Sequence, residues 1–143
     1  MKKEDIDIST FKHFITIQVR YIDIDAQGHV NNATFLSYIE QGRVVYLNTL
    51  FPNNDFKKQG LIIARTEIDY FEPIFLDSEI LCGTKVSEFG NKSFIFENIL
   101  IDKNKQLKCF AKSVMVCFDY IENCTTVVPD EWKLKIKRFE EKL

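Results

Sequence analysis

The chain has 143 residues and a mass of 16.8 kDa, which suits one domain. With 45% hydrophobic and 28% charged residues it can build a core, so disorder and collagen-like structure are excluded. Nineteen Lys and Arg against 21 Asp and Glu leave a net charge of −2, and nothing in that balance favours a nucleic-acid or anionic-membrane partner. A domain of this size has little room for a cofactor-sized cavity of its own.

Residues 1–10 read as a ragged, charged lead-in. From Phe11 to Tyr21 apolar residues return often, with Thr16, Gln18 and Arg20 between the later ones, and this alternation predicts a strand. Asp23 to Asn32 is turn-rich. Ala33 to Leu50 holds no Pro and many helix formers. Leu36, Ile39, Arg43, Tyr46/Leu47 and Leu50 follow helical spacing, while Phe35, Tyr38, Val44 and Val45 lie on other faces. A helix apolar nearly all round is expected to be buried. Asn31 or Asn32 is its N-cap candidate, and Pro52-Asn53-Asn54-Asp55 ends it.

Strands are predicted over 61–71, 79–86, 93–101 and 106–118. Asp102-Lys103-Asn104-Lys105 is a hairpin-loop signal. The near-continuous run from Val114 to Phe118 suggests burial on both faces of the last strand. Pro129-Asp130-Glu131 opens a terminal helix, with Trp132, Ile136, Phe139 and Leu143 on one stripe. The same segment also alternates, so a strand stays open there. Consecutive strands with short loops imply an antiparallel sheet. A strongly apolar helix followed by such a sheet implies an α+β layout with the sheet wrapped around the helix.

The start, Met1-Lys2-Lys3-Glu4-Asp5, puts acids where an export signal needs an apolar core. No run approaches the ~18–20 apolar residues of a membrane span. The expected compartment is the cytoplasm, where the three N-x-S/T sequons carry no glycosylation meaning. Cys82, Cys109, Cys117 and Cys124 form no CxxC pair, which argues against zinc or thioredoxin chemistry. The first three sit among apolar residues and read as small hydrophobes.

The one dense polar constellation runs from Arg20 to Asn32, at a strand end and into the start of the helix. A helix N-terminus offers free N–H groups and partial positive charge, a ready place for a developing oxyanion. A carboxylate a few residues upstream is placed to act as nucleophile or as base on a water. The plainer reading is two solvated acids, an Asn cap and a structural His. Asp23-Ile24-Asp25-Ala26-Gln27-Gly28 resembles the opening of a calcium loop, but its twelfth position is Thr34 rather than a bidentate Glu.

The pattern Arg20-Tyr21-x-Asp23-x-Asp25-x-x-Gly28-His29-Val30-Asn31-Asn32, then Phe35-Leu36-x-Tyr38-x-Glu40-x-x-Arg43, resembles the N-terminal signature of the 4-hydroxybenzoyl-CoA thioesterase family of hotdog-fold acyl-CoA thioesterases. Ile68-Asp69-Tyr70-Phe71-Glu72-Pro73 and Lys92-Ser93-Phe94 are similar to later pieces of that family, in order, over roughly 19–118. The resemblance implies a hotdog fold, a sheet wrapped around one long helix. It makes Asp25 the catalytic carboxylate, as nucleophile or as general base, and the backbone N–H of Asn32 the group that polarises the thioester carbonyl. Gly28 permits the tight turn beside the substrate. His29 and Asn31 match motif positions that orient water, cap the helix or line the pocket. Lys92 matches a CoA-phosphate contact; Gly90 and Asn91 stand where some relatives carry Arg.

The implied substrate is an acyl-CoA, with CoA entering only as part of it and no metal or separate cofactor. The implied assembly is a homodimer, or two such dimers in a homotetramer, which supplies the room one domain lacks. Glu40 and Arg43 are spaced to pair along the helix, although another hotdog subgroup uses a helix Glu in catalysis. Asp23 is placed to raise the pKa of Asp25 by like charge or to pair with Arg20. Phe14, Phe35, Phe94, Phe96 and Phe118 are assigned to the core. The rival readings are a hotdog hydratase or dehydratase using Asp25 and His29, and an acyl-thioester-binding subunit without turnover.

Overall fold

Asn31 opens the long helix α1 (Asn32–Leu50): its side-chain oxygen accepts from the backbone N–H of Ala33 at 2.8 Å, and its carbonyl accepts from Thr34 at 2.9 Å. The computed structural model describes residues 1–141. Strand β1 (His13–Ile17) precedes the helix, and β2 (Gln59–Tyr70), β3 (Ile80–Phe89), β4 (Ser93–Asp102), β5 (Leu107–Asp119) and the short β6 (Cys124–Thr125) follow it. Helix α2 (Asp130–Glu141) comes last. The sheet is antiparallel throughout, in the order β1-β3-β4-β5-β2, with β6 paired to β5. Register shifts at Ile63/Arg65 and Val86/Glu88 insert bulges, which bend strands and increase twist. The result is the expected hotdog: a curled sheet around α1.

Gly42 lets α1 lie close against β3. A Cβ there would stand 2.5 Å from Cys82 Sγ and 2.8 Å from Thr84 Oγ1. The concave core has two parts. Phe35, Ile39, Ile74, Ile80, Leu100 and Cys109 fill the end nearer the start of α1. Tyr46, Phe51, Phe94, Phe96, Trp132 and Ile136 fill the other end. Fully burying one such side chain stabilises by about 1.5–3 kcal/mol, so α1 and α2 are held by packing more than by propensity.

Several sequence expectations are corrected. Residues 1–10 are not a ragged lead-in: two 3-10 turns lay Ile6, Ile8 and Phe11 over Ile99, Ile101, Leu107 and Phe110 on the convex face. The first strand is shorter than 11–21 because Phe11 turns onto that outer layer, while Tyr21–Asp23 coils into a 3-10 turn. Burial on both faces of β5 falls at Leu107–Ala111, under the N-terminal layer, rather than at Val114–Phe118, where Met115 and Cys117 are buried and their neighbours half-buried.

Helix α1 is not covered all round. Leu36 and Val44 are exposed, whereas Phe35 and Tyr38 join Ile39, Tyr46 and Leu47 in the interior. Phe14 is exposed and Phe118 only half-buried against Tyr120, so neither is core. The terminal helix forms as the first reading had it, with Trp132 and Ile136 buried; Leu143 lies outside the described residues.

Buried Cys82, Cys109 and Cys117 are free thiols, and Cys124 is the exposed one. Burial pushes the Cys82 thiol up to about 12 and that of Cys117 up to about 11, and raises Cys109 too.

Candidate active site

The segment between β1 and α1 is built as two locked turns. In the first, the Asp23 carboxylate accepts from the Arg20 N–H and the Arg20 guanidinium, each at 3.0 Å, and from the Tyr38 hydroxyl at 2.6 Å. Asp23 is 3% exposed. Burial alone would push its carboxyl up, but the bonds from Tyr38 and Arg20 outweigh that and hold it below the ordinary value. Asp23 therefore faces inward as an ion-paired anchor. Of its two expected roles, the pairing with Arg20 is the one the structure shows.

The second turn joins Ile24 to Val30 by a β-bridge. The Asp25 N–H donates to the His29 carbonyl at 2.9 Å and the Gly28 N–H to the Asp25 carbonyl at 3.1 Å. Gly28 has φ of +87°, the left-handed region that a side chain would strain. One Asp25 oxygen, Oδ1, accepts from the Gln27 N–H at 2.8 Å, which orients the carboxylate. Val30 N–H then bonds to Ile74 and Asn31 N–H to Asp23, fixing the entry into α1.

These turns deliver Asp25, His29 and Asn32 to one cavity of about 440 Å³, lined also by Gln27, Phe35 and Tyr70. Asn32 is the first residue of α1, so its N–H has no intrahelical acceptor, and the Asn31 cap engages the two N–H groups after it. His29 packs edge-on against Phe75, centroids 6.4 Å apart. Gly28 shapes the turn, and Asn31 caps the helix from outside the cavity lining.

Lys92 is elsewhere. It is exposed at the start of β4, 3.4 Å from Thr125 Oγ1. Ser93 pairs with Val116, whereas the cavity end of the sheet pairs Tyr70 with Cys109. Seven residues of β5 separate the two, roughly 23 Å at strand rise. Within one chain Lys92 does not belong to this cavity.

The cavity is also lined by Tyr70, Phe71, Glu72 and Pro73, a stretch quoted for the family resemblance but given no site role from the sequence. Its signal was two aromatics and an acid crowded before a Pro. The Lys3 and Lys108 ammonium groups beside Glu72 hold its carboxyl below the ordinary range; Lys108 Nζ stands 3.2 Å from Oε1. Glu40 and Arg43 do not make the expected pair. Arg43 turns into the interior and donates to Ser113 Oγ at 3.4 Å, while Glu40 stays exposed; among the described residues no carboxylate lies within 4 Å of Arg43. A second cavity of about 450 Å³ opens between α1 and β2, lined by Arg43, Val44, Leu47, Phe56 and Ile63 among others.

A curled antiparallel sheet around one long helix, with Asp25 and the first residue of that helix lining one cavity, defines a hotdog domain. The chain belongs to the thioesterase-like superfamily, whose family model matches residues 19–139. An acyl-CoA thioesterase of Haemophilus influenzae, YbgC, is 30% identical over 125 residues, spanning 82% of this chain and 88% of its own. The acyl-CoA thioester hydrolase YbgC of Escherichia coli O6:H1 is 22% identical over 120 residues, 79% of this chain and 87% of its own. A thioesterase of Thermus thermophilus, crystallised with coenzyme A and Zn, superposes with a TM-score of 0.84 at 28% identity, covering 95% of this chain and 99% of that one. No helix among the described residues is long and apolar enough to cross a membrane.

Proposed function

We propose that this protein hydrolyses an acyl-CoA thioester to a carboxylic acid and CoA, within the 4-hydroxybenzoyl-CoA thioesterase group of its superfamily. The observation that carries this reading is the meeting of Asp25 and the start of α1 in one cavity. In it, the thioester oxygen accepts from the Asn32 N–H, which stabilises the charge that develops there. Asp25 either takes a proton from water as that water attacks the carbonyl carbon, or attacks directly and forms an anhydride that water then cleaves. In both routes the C–S bond breaks, the thiolate of CoA leaves and gains a proton, and Asp25 is regenerated. His29, half-buried at the cavity wall, orients water or substrate.

The working unit is a homodimer. Among the described residues β2 pairs only with β5, which leaves its other edge open, and Ile62 and Ile63 stand exposed, with Ile63 bordering the same hollows as Leu36 and Val44 of α1. A long, apolar, open edge is a template for another strand. A second copy there closes the groove between α1 and β2. Any contact of Lys92 with CoA phosphates comes from the second copy, given its distance from Asp25 in one chain.

The test is thiol release from short, medium, long and aromatic acyl-CoAs, with Asp25→Asn alongside. Turnover of at least one substrate and a loss of about 100-fold or more in the variant are expected. Equal rates in the variant remove Asp25 from the chemistry. Hydration of an enoyl-CoA without thiol release points to a hydratase, and binding without turnover to a non-catalytic subunit.

A further inference from the structure

The candidate site includes the first turn of α1, where the helix's own hydrogen bonding is incomplete. Helix ends fray, and the first residue is held by fewer bonds than any that follow. The Asn31 side chain and carbonyl secure Ala33 and Thr34, yet neither bond touches the backbone of Asn32. The side chain that does is Tyr70, the last residue of β2. Its hydroxyl donates to the Asn32 carbonyl at 2.9 Å. That carbonyl also begins the i→i−4 ladder of the helix, and its second lone pair is free for this bond.

Tyr70 reaches α1 at two points. Its ring meets Phe35 edge-on, centroids 5.1 Å apart at 67°, while the hydroxyl goes to Asn32. Its own backbone is fixed by pairing with Cys109 at the end of an eleven-pair register with β5. Tyr70 lines the cavity that holds Asp25. We propose that Tyr70 is a positioning residue of the hydrolase site: its hydroxyl braces Asn32 from the sheet, keeping the first residue of α1 in one orientation beside Asp25. This rests on the role proposed above for the Asn32 N–H.

The hydroxyl is suited to the task. Burial raises its pKa from the ordinary tyrosine value, so it remains a donor through neutral and mildly alkaline pH. A misplacement near 1 Å costs a reaction on the order of 100-fold. Losing one brace while the Asn31 cap persists is a smaller disturbance.

Tyr70→Phe isolates the hydroxyl, because the ring contact with Phe35 is kept. The expected result is a kcat lower by about fivefold to tenfold, with KM within about twofold and the pH profile of kcat unmoved, since the residue passes no proton. In the same variant, amide hydrogen exchange at Ala33 and Thr34 should speed up by about tenfold while the β4 amides stay unchanged. Unchanged exchange in the first turn overturns the proposal, as does an unchanged kcat in an active enzyme. A shifted pH profile also overturns it, by making Tyr70 an acid or base. Should the native protein cleave no acyl-CoA at all, the proposed function falls, and the exchange measurement alone decides whether Tyr70 braces the helix.

Discussion

The Tyr38 hydroxyl donates to the buried carboxylate of Asp23 over 2.6 Å, tying the second turn of α1 to the turn that precedes the candidate site. Asp23→Asn keeps the shape and removes the charge, and is expected to cost about 2 kcal/mol by urea unfolding at pH 7, the scale of hydrogen bonds to a charged group. Because the folded-state pKa is held below the ordinary value, this stabilisation is complete above about pH 4 and is lost as pH falls through the folded value. The gap between native protein and variant should therefore close in acid. A gap that stays constant down to pH 2 would contradict the ion-paired assignment.

Glu140 should behave in the opposite sense. Its Oε2 accepts from the Val86 N–H at 3.0 Å and from the Tyr46 hydroxyl, at the docking point of α2. Burial outweighs these bonds and raises its pKa above the ordinary glutamate value. A raised folded-state pKa gives stability that is complete below the unfolded value and is lost as pH climbs through the folded one. Glu140→Gln, which stays neutral, should lose less stability between pH 4 and pH 8 than the native protein does. Parallel pH curves for the two would refute it.

Gly42→Ala tests this close helix–sheet contact. On helix propensity alone the change favours folding by about 1 kcal/mol. A methyl group 2.5 Å from Cys82 Sγ and 2.8 Å from Thr84 Oγ1 forces those buried side chains, or the elements that carry them, to shift. Overpacking of this kind costs about 1–3 kcal/mol, so a net loss of stability and a lower Tm are expected in a thermal melt. A stabilised variant would show that the helix rides more loosely than described.

The free edge of β2 predicts the assembly. Light scattering at micromolar concentration should give at least about 34 kDa, twice the 16.8 kDa of one chain. Ile63→Glu, at a site 47% exposed in the single chain, should leave the fold intact and halve the mass by placing a charge in the seam. A native monomer would remove the dimer from the proposed function.

The wrapped-sheet architecture could be read from the sequence because one long, strongly apolar helix, with Asn31 or Asn32 to cap it, is followed by consecutive strands with short connections. Asp25, Gly28, His29 and Asn32 fall within one local motif, so their proximity was legible too. What was hidden depends on distant partners. Tyr70 and Glu72 meet Asn32 and Lys3 only through the sheet, and no local period encodes such contacts. The N-terminal layer was misread because apolar residues at 6, 8 and 11 match neither a helix nor a long strand. Arg43 looked like a surface partner for Glu40, whereas the close approach at Gly42 carries it inside.

The placement of the four cysteines has a practical consequence for assays. Three sulfurs are sealed in the core, and the pKa values of Cys82 and Cys117 lie near 12 and 11, so almost none of either is thiolate near neutral pH. Cys124, on the exposed strand β6, remains as one reactive handle per chain. A colorimetric count of free thiols on the folded protein should thus stop at a stoichiometry of one and reach four only in denaturant. That fixed blank makes CoA release readable, and it offers a single position for a fluorophore.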